Sequence, residues 1–534
     1  MAAGLTYNES MSTTRKLGFA AALLVMTVLL SRLLGFVRDA VVAALFGATG
    51  ATDAFYTAFT VPDWLNYIVA GAMLSITFIP IYTRHLNDDT TDEGDRVLSI
   101  IATIMTLVVV GGVVVLEWYT PQLLSGYMRK LRPADLQLCI TLTRILLPAQ
   151  LFFYLGGLAG ATLFARQRFV AASTAPLVYN LCAILGGALF GRRYGIVSMA
   201  WGTLAGAVIG PFGVMVVAAW RAGMRYRPSL ALGHPEFREW LWASLPLMLG
   251  VTLVGADDWV IRYFAAADVG AISCLSYARK LVQVPIAVAG QAVGQASMPF
   301  FARLWAEGRR VELGDLVTRS ARASGAVAAL AACALIALGE PAVDLLFRRG
   351  HFDAAQVLPT ARYVALFALA IPLWGMQGII ARAFYAGGDT LTPMVSGMVV
   401  MIASLPLYWL LAHTFGIAGV VIASDLGILL HTAALLILLP RQLDSCRRGD
   451  LIFGTLRAYA VGALAALPAW AASRLLPHGQ LAGHLLALEQ LAVGGLVFLT
   501  LAALLSRPLG ATDLAAFFQR IFGRLISRRG TRAG

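Results

Sequence analysis

Long apolar blocks separated by short charged connections run through almost the whole chain. Fourteen of these blocks are long enough to cross a bilayer as helices of about 20 residues. Each block is expected to be helical, because a helix satisfies its own backbone hydrogen bonds and lipid cannot. The predicted spans cover residues 17–46, 53–83, 97–119, 137–164, 171–191, 197–220, 238–266, 269–302, 317–346, 357–386, 391–412, 417–440, 453–474 and 483–506.

Composition supports a membrane location. The 534 residues are 59% hydrophobic and only 13% charged, whereas soluble domains carry about 25% charged residues. Arg15 and Lys16 precede the first block and no small-residue cleavage site follows it, so we interpret that block as a retained first span. The chain is therefore predicted to be an all-α, multi-pass integral membrane protein.

The charge distribution predicts the orientation. The net charge is +13, but no RNA- or DNA-binding motif and no soluble basic domain accompany it, so nucleic acid is set aside as a partner. With the N-terminus inside, about 25 Lys/Arg lie in the even-numbered connections and the tails, against about 8 in the odd-numbered connections. Both termini are thus predicted to be cytoplasmic. Two outside connections, with Arg129-Lys130-Arg132 and Arg192-Arg193, depart from this pattern.

A weak internal repeat predicts the arrangement of the spans. Residues 161–176 and residues 382–393 each end a span with small and aromatic residues, continue into a short polar turn and start a span containing proline. A shift of six spans preserves orientation, so the repeat is expected to be parallel and to form two six-helix lobes around a central cavity. The predicted divisions are residues 1–228, 229–446, 447–506 for the last two spans, and 507–534 for a tail. That tail is either an amphipathic surface helix or a polar extension.

Charged residues within span one point to phosphate binding. Arg32 lies roughly 22 Å past the start of the span, too deep for easy contact with water. Arg38 and Asp39 follow six and seven residues later. A guanidinium binds phosphate through two parallel hydrogen bonds, so the arginines are candidates for a cationic cavity wall. The alternatives are an ion pair of Arg32 with Asp39 or Asp53, and an Arg38 that extends to the outer boundary.

Spans seven and eight carry a second charged group. Asp257, Asp258 and Arg262 lie in span seven, and Arg279 and Lys280 lie near the middle of span eight. Charges inside a span normally face a cavity or a partner. The aspartates are candidates for cation coupling or for structural ion pairs, and Arg279 or Lys280 is expected to face a cavity.

Two further aspartates stand where spans begin. Asp53 opens span two, whose Pro62 is expected to kink the helix, and Asp389 opens span eleven. For each carboxylate, the alternative to a functional role is capping of the helix N-terminus.

Motifs for catalysis are missing from the sequence. It contains no nucleotide-binding loop, metalloprotease motif or nucleophile elbow, and its five cysteines form no CxxC pair. The chain is therefore predicted to be neither an enzyme nor an ATP-driven pump, and no cofactor is expected.

Several stretches are close to one known family. SRLLGFVRDAVVAALFGATGATDAFYTAF, residues 31–59, is the most specific, and residues 15–440 share the resemblance. Supporting stretches are Tyr277–Leu281, Leu346–Phe352, Gly388–Pro393, and Arg168-Phe169 with Pro176 and Asn180. The chain resembles the MurJ (MviN) lipid II flippases of the multidrug/oligosaccharidyl-lipid/polysaccharide exporter superfamily.

The resemblance implies fourteen helices in the bacterial inner membrane and alternating access of a cationic cavity to its two sides. It implies lipid II as the substrate, a groove of spans thirteen and fourteen for the polyprenyl tail, and membrane lipids and cell-wall synthesis machinery as further partners. Coupling to sodium, protons or the membrane potential is also expected.

The resemblance also suggests roles for individual residues. Arg32 and Arg38 match two essential arginines of the family, and Asp53 matches its aspartate at the start of span two. Lys280 occupies an arginine position, which keeps the charge but loses the bidentate geometry. Asp389 matches a carboxylate associated with sodium. Asp257 or Asp258 matches the span-seven partner of that carboxylate. Asp258 and Asp389 are therefore the candidate sodium ligands.

Two positions depart from the family pattern. Asn66 stands where an arginine is usual, and Gly71 stands where a glutamate is common; Arg262 or Arg279 is a candidate for rebalancing the charge. The departures leave open a flippase for another polyprenyl-linked glycan. A drug/cation antiporter of the same superfamily and a non-transporting scaffold are further alternatives.

Overall fold

The computed structural model describes residues 13–70, 77–168, 170–254, 256–439, 443, 446–475 and 484–520. Within these ranges the chain is helical and forms no strand, as the apolar blocks predict. Two π-helical segments, Val208–Val214 and Ala287–Ala292, join consecutive α-helices. The α-helices are α1 (Thr13–Phe46), α2 (Gly50–Ala58), α3 (Thr60–Ala70), α4 (Ile79–Asn87), α5 (Thr91–Tyr127), α6 (Pro133–Leu146), α7 (Ala149–Ala165), α8 (Val170–Tyr194), α9 (Val197–Ala207), α10 (Met215–Arg221), α11 (Pro235–Val254), α12 (Ala256–Ala265), α13 (Ala271–Ile286), α14 (Val293–Ala306), α15 (Arg310–Phe347), α16 (Ala354–Ala368), α17 (Ile371–Ala386), α18 (Leu391–Leu438), α19 (Arg448–Arg474) and α20 (His484–Ser506).

The chain is a multi-pass membrane protein. In the described ranges, eight helical segments are long and apolar enough to cross a bilayer. A ninth is obtained if α16 and α17, which meet at a bend of 41°, count as one span. Fourteen spans were predicted, and α18 is counted once here although it contains two of them.

Helix α18 contains two of the predicted spans. It runs for 48 residues, but Gly416 has φ 60° and ψ −138°, which breaks the helix. Positive φ is readily adopted by glycine. His431 contacts Ser396 across the break, and Gly427 lies beside Ser404. The two halves are therefore antiparallel, as expected for spans eleven and twelve.

Prolines account for several interruptions. Span two is divided between α2 and α3 at Phe59, three residues before Pro62. Pro211 lies inside the first π-helical segment, and Pro285 lies just before the second. Proline lacks a backbone N–H and its ring clashes with the preceding turn, so the regular α-helical hydrogen bonds are lost there.

The turns of the predicted repeat have the same backbone structure. In the first turn, the N–H of Arg168 donates to the carbonyl of Leu163 at 2.8 Å, and Gln167 has φ 58°. In the second, Asp389 N–H donates to the carbonyl five residues earlier at 3.0 Å, and Gly388 has φ 77°. Both are Schellman turns with a left-handed residue. The repeat itself stays a prediction, because other helix ends form the same turn, as Gly223 and Met224 do after α10.

The described residues form two compact units. The first contains the residues up to Val254 except Gly47–Thr49; the second contains Gly47–Thr49 and the residues from Ala256 onward. The division falls within predicted span seven, whereas the lobes were predicted to meet at residues 228 and 229. That predicted boundary concerns topology and stays a prediction. All five cysteines are free.

The connection between α10 and α11 is bound along α5 in the first unit. Side chains spaced four residues apart on α5 accept N–H groups from alternate residues of the connection. The bonds run from Arg225 N to Asp95 Oδ2 (3.0 Å), from Arg227 N to Ser99 Oγ (3.0 Å) and from Ser229 N to Thr103 Oγ1 (3.2 Å). The spacing follows from geometry, because residues i and i+4 lie on one helix face and alternate extended residues point their N–H groups the same way.

Two histidine–glutamate pairs secure the end of this connection at α11. His234 Nε2 lies 2.9 Å from Glu93 Oε1, and His85 Nε2 lies 2.7 Å from Glu236 Oε2. The hydrogen bond with His234 holds the pKa of Glu93 below its ordinary value of 4.5.

The tail begins with a packed helix. Residues 512–520 are helical, and Leu514 and Phe518 are buried against α15, α19 and α20. Arg322 of α15 donates to Asp513 at 2.7 Å. This part of the tail therefore lies against the second unit through its apolar face; Ile521, Phe522 and the following arginines lie outside the described residues.

Candidate functional site

The charged group of span one is an adjacent ion pair and an exposed arginine. Arg38 donates from Nε and Nη2 to Asp39 Oδ1 at 3.1 and 3.0 Å. Asp39 is only 4% exposed. The sequence left open a pairing of Asp39 with Arg32, and the structure shows Asp39 paired with Arg38. Arg32 is exposed, so it presents its guanidinium on the surface of the first unit.

The span-two candidates differ in their burial. Asp53 is 4% exposed and lies in the first turn of α2, where a carboxylate interacts favourably with the helix dipole. Asn66 is half-buried in α3. Gly71, the second departure from the family pattern, lies outside the described residues.

Arg279 bridges both aspartates of span seven in the second unit. Its Nη1 donates to Asp258 and its Nη2 donates to Asp257. The guanidinium also lies over the ring of Phe367, 5.6 Å from the centroid. Arg279 was predicted as a substrate-binding cation. In this structure its charge is balanced by two carboxylates, which agrees with the structural alternative.

Asp257 is further bound by residues that sequence reasoning missed. Tyr408 Oη donates to Asp257 Oδ1, and Ser424 Oγ donates to Oδ2 at 3.1 Å. Asp425 interacts electrostatically with both Asp257 and Arg279. Asp425 had a recognisable signal, because it is the only charged residue between 417 and 439. The two hydroxyl residues had none, because isolated Tyr and Ser residues are common in apolar spans.

A small polar cavity adjoins this cluster. It has a volume of about 30 Å³ and is lined in part by Asp258, Arg262, Ser276 and Arg279. That volume suffices for a single water molecule. Arg262 stands beside Asp258 and Arg279 in the cavity wall.

Lys280 and Asp389 are the remaining candidates in the second unit. Lys280 is half-buried in α13. Asp389 accepts a hydrogen bond from Thr392 N at 2.9 Å, which is the capping interaction considered from the sequence. Seventeen residues of helix separate Leu391 from Tyr408, a rise of roughly 25 Å.

This rise corrects the predicted pairing of sodium ligands. Tyr408 contacts Asp257, next to Asp258, whereas Asp389 lies at the far end of the same helical half. Asp258 and Asp389 are therefore too far apart to ligate one ion together. Among the described residues, no three His, Cys, Asp or Glu side chains converge as ligands for a metal ion.

Comparison with known proteins decides the family. The model of the family described as "Lipid II flippase MurJ" matches residues 42–488. The chain belongs to the MurJ family. The match starts at Val42, so Arg32 and Arg38 precede it, and their roles rest on the resemblance of residues 31–59.

Relatives extend over most of the chain. The "Lipid II flippase MurJ" of Burkholderia cenocepacia is 28% identical over 427 residues, covering 78% of this chain and 82% of its own. The "Probable lipid II flippase MurJ" of Rhizobium meliloti is 27% identical over 406 residues, covering 74% and 75%.

Solved structures show the same fold. A lipid II flippase MurJ in an inward closed conformation matches with a TM-score of 0.75 at 20% identity, covering 91% of this chain and 99% of that one. An inward-facing MATE multidrug transporter matches with a TM-score of 0.62 at 16% identity, covering 80% and 95%.

Proposed function

We propose that this protein is a flippase that moves lipid II from the cytoplasmic to the outer leaflet of the bacterial inner membrane. The observation that carries the proposal is the family match over residues 42–488, together with relatives named as lipid II flippases. We further propose fourteen spans in two six-helix lobes plus a C-terminal pair, with both termini cytoplasmic and transport by alternating access.

The charges of the two units suggest how the headgroup is bound. Arg32 is exposed in a predicted span, and a diphosphate attracts guanidinium and ammonium groups. Arg32 and Lys280 are therefore the principal headgroup cations in the proposal. Arg38 joins them when Asp39 releases it. Arg279 serves mainly to balance the aspartates of the coupling cluster.

Coupling belongs to the Asp257 cluster in this proposal. Three side chains donate to Asp257 or Asp258, and Asp425 adds a further carboxylate. The formal charge of three aspartates and one arginine is negative, which favours a proton or a sodium ion as the coupling cation. The membrane potential is an alternative driving force.

Complementation tests the transport proposal. A bacterium depleted of its own lipid II flippase is expected to grow when this chain is expressed, and to fail with Arg32→Ala at equal membrane abundance. Arg144→Ala is the matched control, because Arg144 is also an exposed arginine in a predicted span and forms an ion pair with Glu117. Equal rescue by Arg32→Ala and wild type would exclude the proposed headgroup site.

Asn66 motivates a second candidate function, a flippase for another polyprenyl-linked glycan. If wild type is well expressed and fails to rescue, while Asn66→Arg rescues, the span-two departure has changed the substrate range. Failure of both in a host that accepts related flippases would favour the other glycolipid. Ion-driven dye efflux from vesicles would instead indicate the antiporter.

A further inference from the structure

Helices α8 and α9 form an antiparallel pair with a very close backbone contact. Gly195 in the turn between them has φ 60°. A Cβ atom at Gly186 would lie 2.7 Å from the Cα of Gly202, so both helices can approach only because these residues are glycines. The larger side chains on either side of this contact stand apart and leave a groove open to the surface.

The groove is apolar and large enough for a hydrocarbon chain. Its volume is about 510 Å³, within the range of sites that hold small molecules. The side chains that line it include Leu185, Leu189, Phe190, Tyr194 and Trp201. Leu189 is 68% exposed and Trp201 57% exposed, so the lining lies on the surface of the first unit, within two predicted spans.

A pair of arginines stands at the end of the groove nearest the turn. Arg192 and Arg193 are exposed in the last turn of α8. The Arg193 guanidinium lies 5.4 Å from the ring centroid of Tyr194, which lines the groove. The sequence contains no Asp or Glu between Asp135 and Glu236, so this helix pair brings no carboxylate to these charges.

The position of these arginines is unusual for a membrane protein. They lie in a connection that the charge pattern places outside, where Lys and Arg are normally sparse. The helix dipole of α8 accounts for some preference for cations at its C-terminus. It does not account for an exposed apolar groove that ends at the same two side chains.

We propose that this groove binds an anionic membrane phospholipid, with one acyl chain between α8 and α9 and its phosphate on Arg192 and Arg193. Guanidinium groups bind phosphate oxygens by charge-assisted hydrogen bonds. Tyr194 and Trp201 are suited to the boundary between headgroups and hydrocarbon. This lipid is a resident partner, separate from the transported substrate.

Fluorescence quenching by brominated lipids tests the site, because Trp201 lines the groove. The full chain and a Trp201→Phe variant are reconstituted in phosphatidylcholine bilayers that contain brominated phosphatidylglycerol or brominated phosphatidylcholine at equal mole fraction. The difference between the two proteins isolates the Trp201 signal. Brominated phosphatidylglycerol is expected to quench it preferentially, by about fivefold in apparent affinity for each arginine at low salt.

Charge variants decide whether the arginines select the lipid. The preference is expected to disappear in Arg192→Gln/Arg193→Gln and to persist in Arg129→Gln/Lys130→Gln. The control loses the same charge from another exposed connection on the same predicted side. Equal quenching by both lipids in wild type, or a preference that survives Arg192→Gln/Arg193→Gln, overturns the proposal.

A groove-filling variant separates this lipid from the polyprenyl tail of the substrate. Ala205 is exposed and lines the groove, so Ala205→Phe fills it from the lipid side. The variant is expected to lose the phosphatidylglycerol preference while still rescuing a flippase-depleted host. Loss of rescue combined with no phosphatidylglycerol preference in wild type would assign the groove to the substrate tail and refute the proposal.

Discussion

Replacing Arg279 with alanine should destabilise the second unit. The Arg279 side chain is 21% exposed and the Asp257 side chain 19% exposed, so the substitution leaves a largely buried carboxylate without its cation. Breaking such a pair costs about 3–5 kcal/mol. Asp257 keeps the Tyr408 and Ser424 hydroxyl groups as hydrogen-bond donors, so the cost of losing Arg279 is expected at the lower end of this range. Asp258 is 51% exposed, so its pair adds at most about 1 kcal/mol.

The expected total is therefore about 3 kcal/mol, or roughly 6 °C in the unfolding midpoint at about 2 °C per kcal/mol. Arg279→Lys is expected to lose about half as much unfolding free energy, because one ammonium group cannot bridge two carboxylates as the guanidinium does. Arg279→Gln combined with Asp257→Asn should recover stability relative to Arg279→Gln alone, since it removes the uncompensated charge.

The assay is thermal unfolding of the purified full chain in detergent, alongside complementation. Arg303→Ala is the control, because Arg303 is 75% exposed and pairs with Glu307 at the surface; its cost should stay below about 1 kcal/mol. An Arg279→Ala protein that unfolds at the wild-type temperature but no longer supports transport would refute this reasoning. It would assign Arg279 a direct role in transport, either at the headgroup site that the sequence suggested or in coupling.

Two further predictions concern the repeat turns and the bound connection. Gln167→Gly should stabilise the protein and Gly388→Ala should destabilise it, each by about 1 kcal/mol, because both positions have positive φ; equal shifts of the same sign in thermal unfolding would contradict the shared geometry. His234→Ala should lower the unfolding midpoint near pH 6, and the difference from wild type should shrink as the pH falls below 4.5, where Glu93 becomes protonated. The sign follows because a lowered carboxyl pKa stabilises the folded state above the unfolded pKa and loses this effect in acid. A difference that grows in acid would rule out the Glu93 pair as its source.

The apolar blocks predicted the helices well, because the thickness of the bilayer sets the length of a membrane-spanning helix. Helices α5 and α15 enclose predicted spans, and α20 matches its predicted span to within one residue. The division of α18 near Gly416 was also predicted, since a glycine and a change of apolar pattern coincide there. The interruptions at the two π-helical segments were not predicted, because proline predicts a kink but not the hydrogen-bond register that replaces the lost bond.

The sequence predicted which residues belong to the candidate site better than it predicted which of them pair with one another. Arg38, Asp39, Asp257 and Arg279 were found because a charge in an apolar span is costly and conspicuous. Which charges pair depends on helix rotation and on neighbours that are distant in sequence. Tyr408 lies 151 positions from Asp257, and no periodicity within either span carries that information.

The bound connection between α10 and α11 has a consequence for protease sensitivity. Arg225, which precedes Tyr226, makes this segment a trypsin site by sequence, whereas Arg227 does not, because Pro228 follows it. A protease must draw several residues of extended backbone into its cleft, yet the N–H groups of both arginines already donate to side chains of α5. Cleavage there requires the segment to detach first, so its rate measures local opening of the connection and not the mere presence of basic residues.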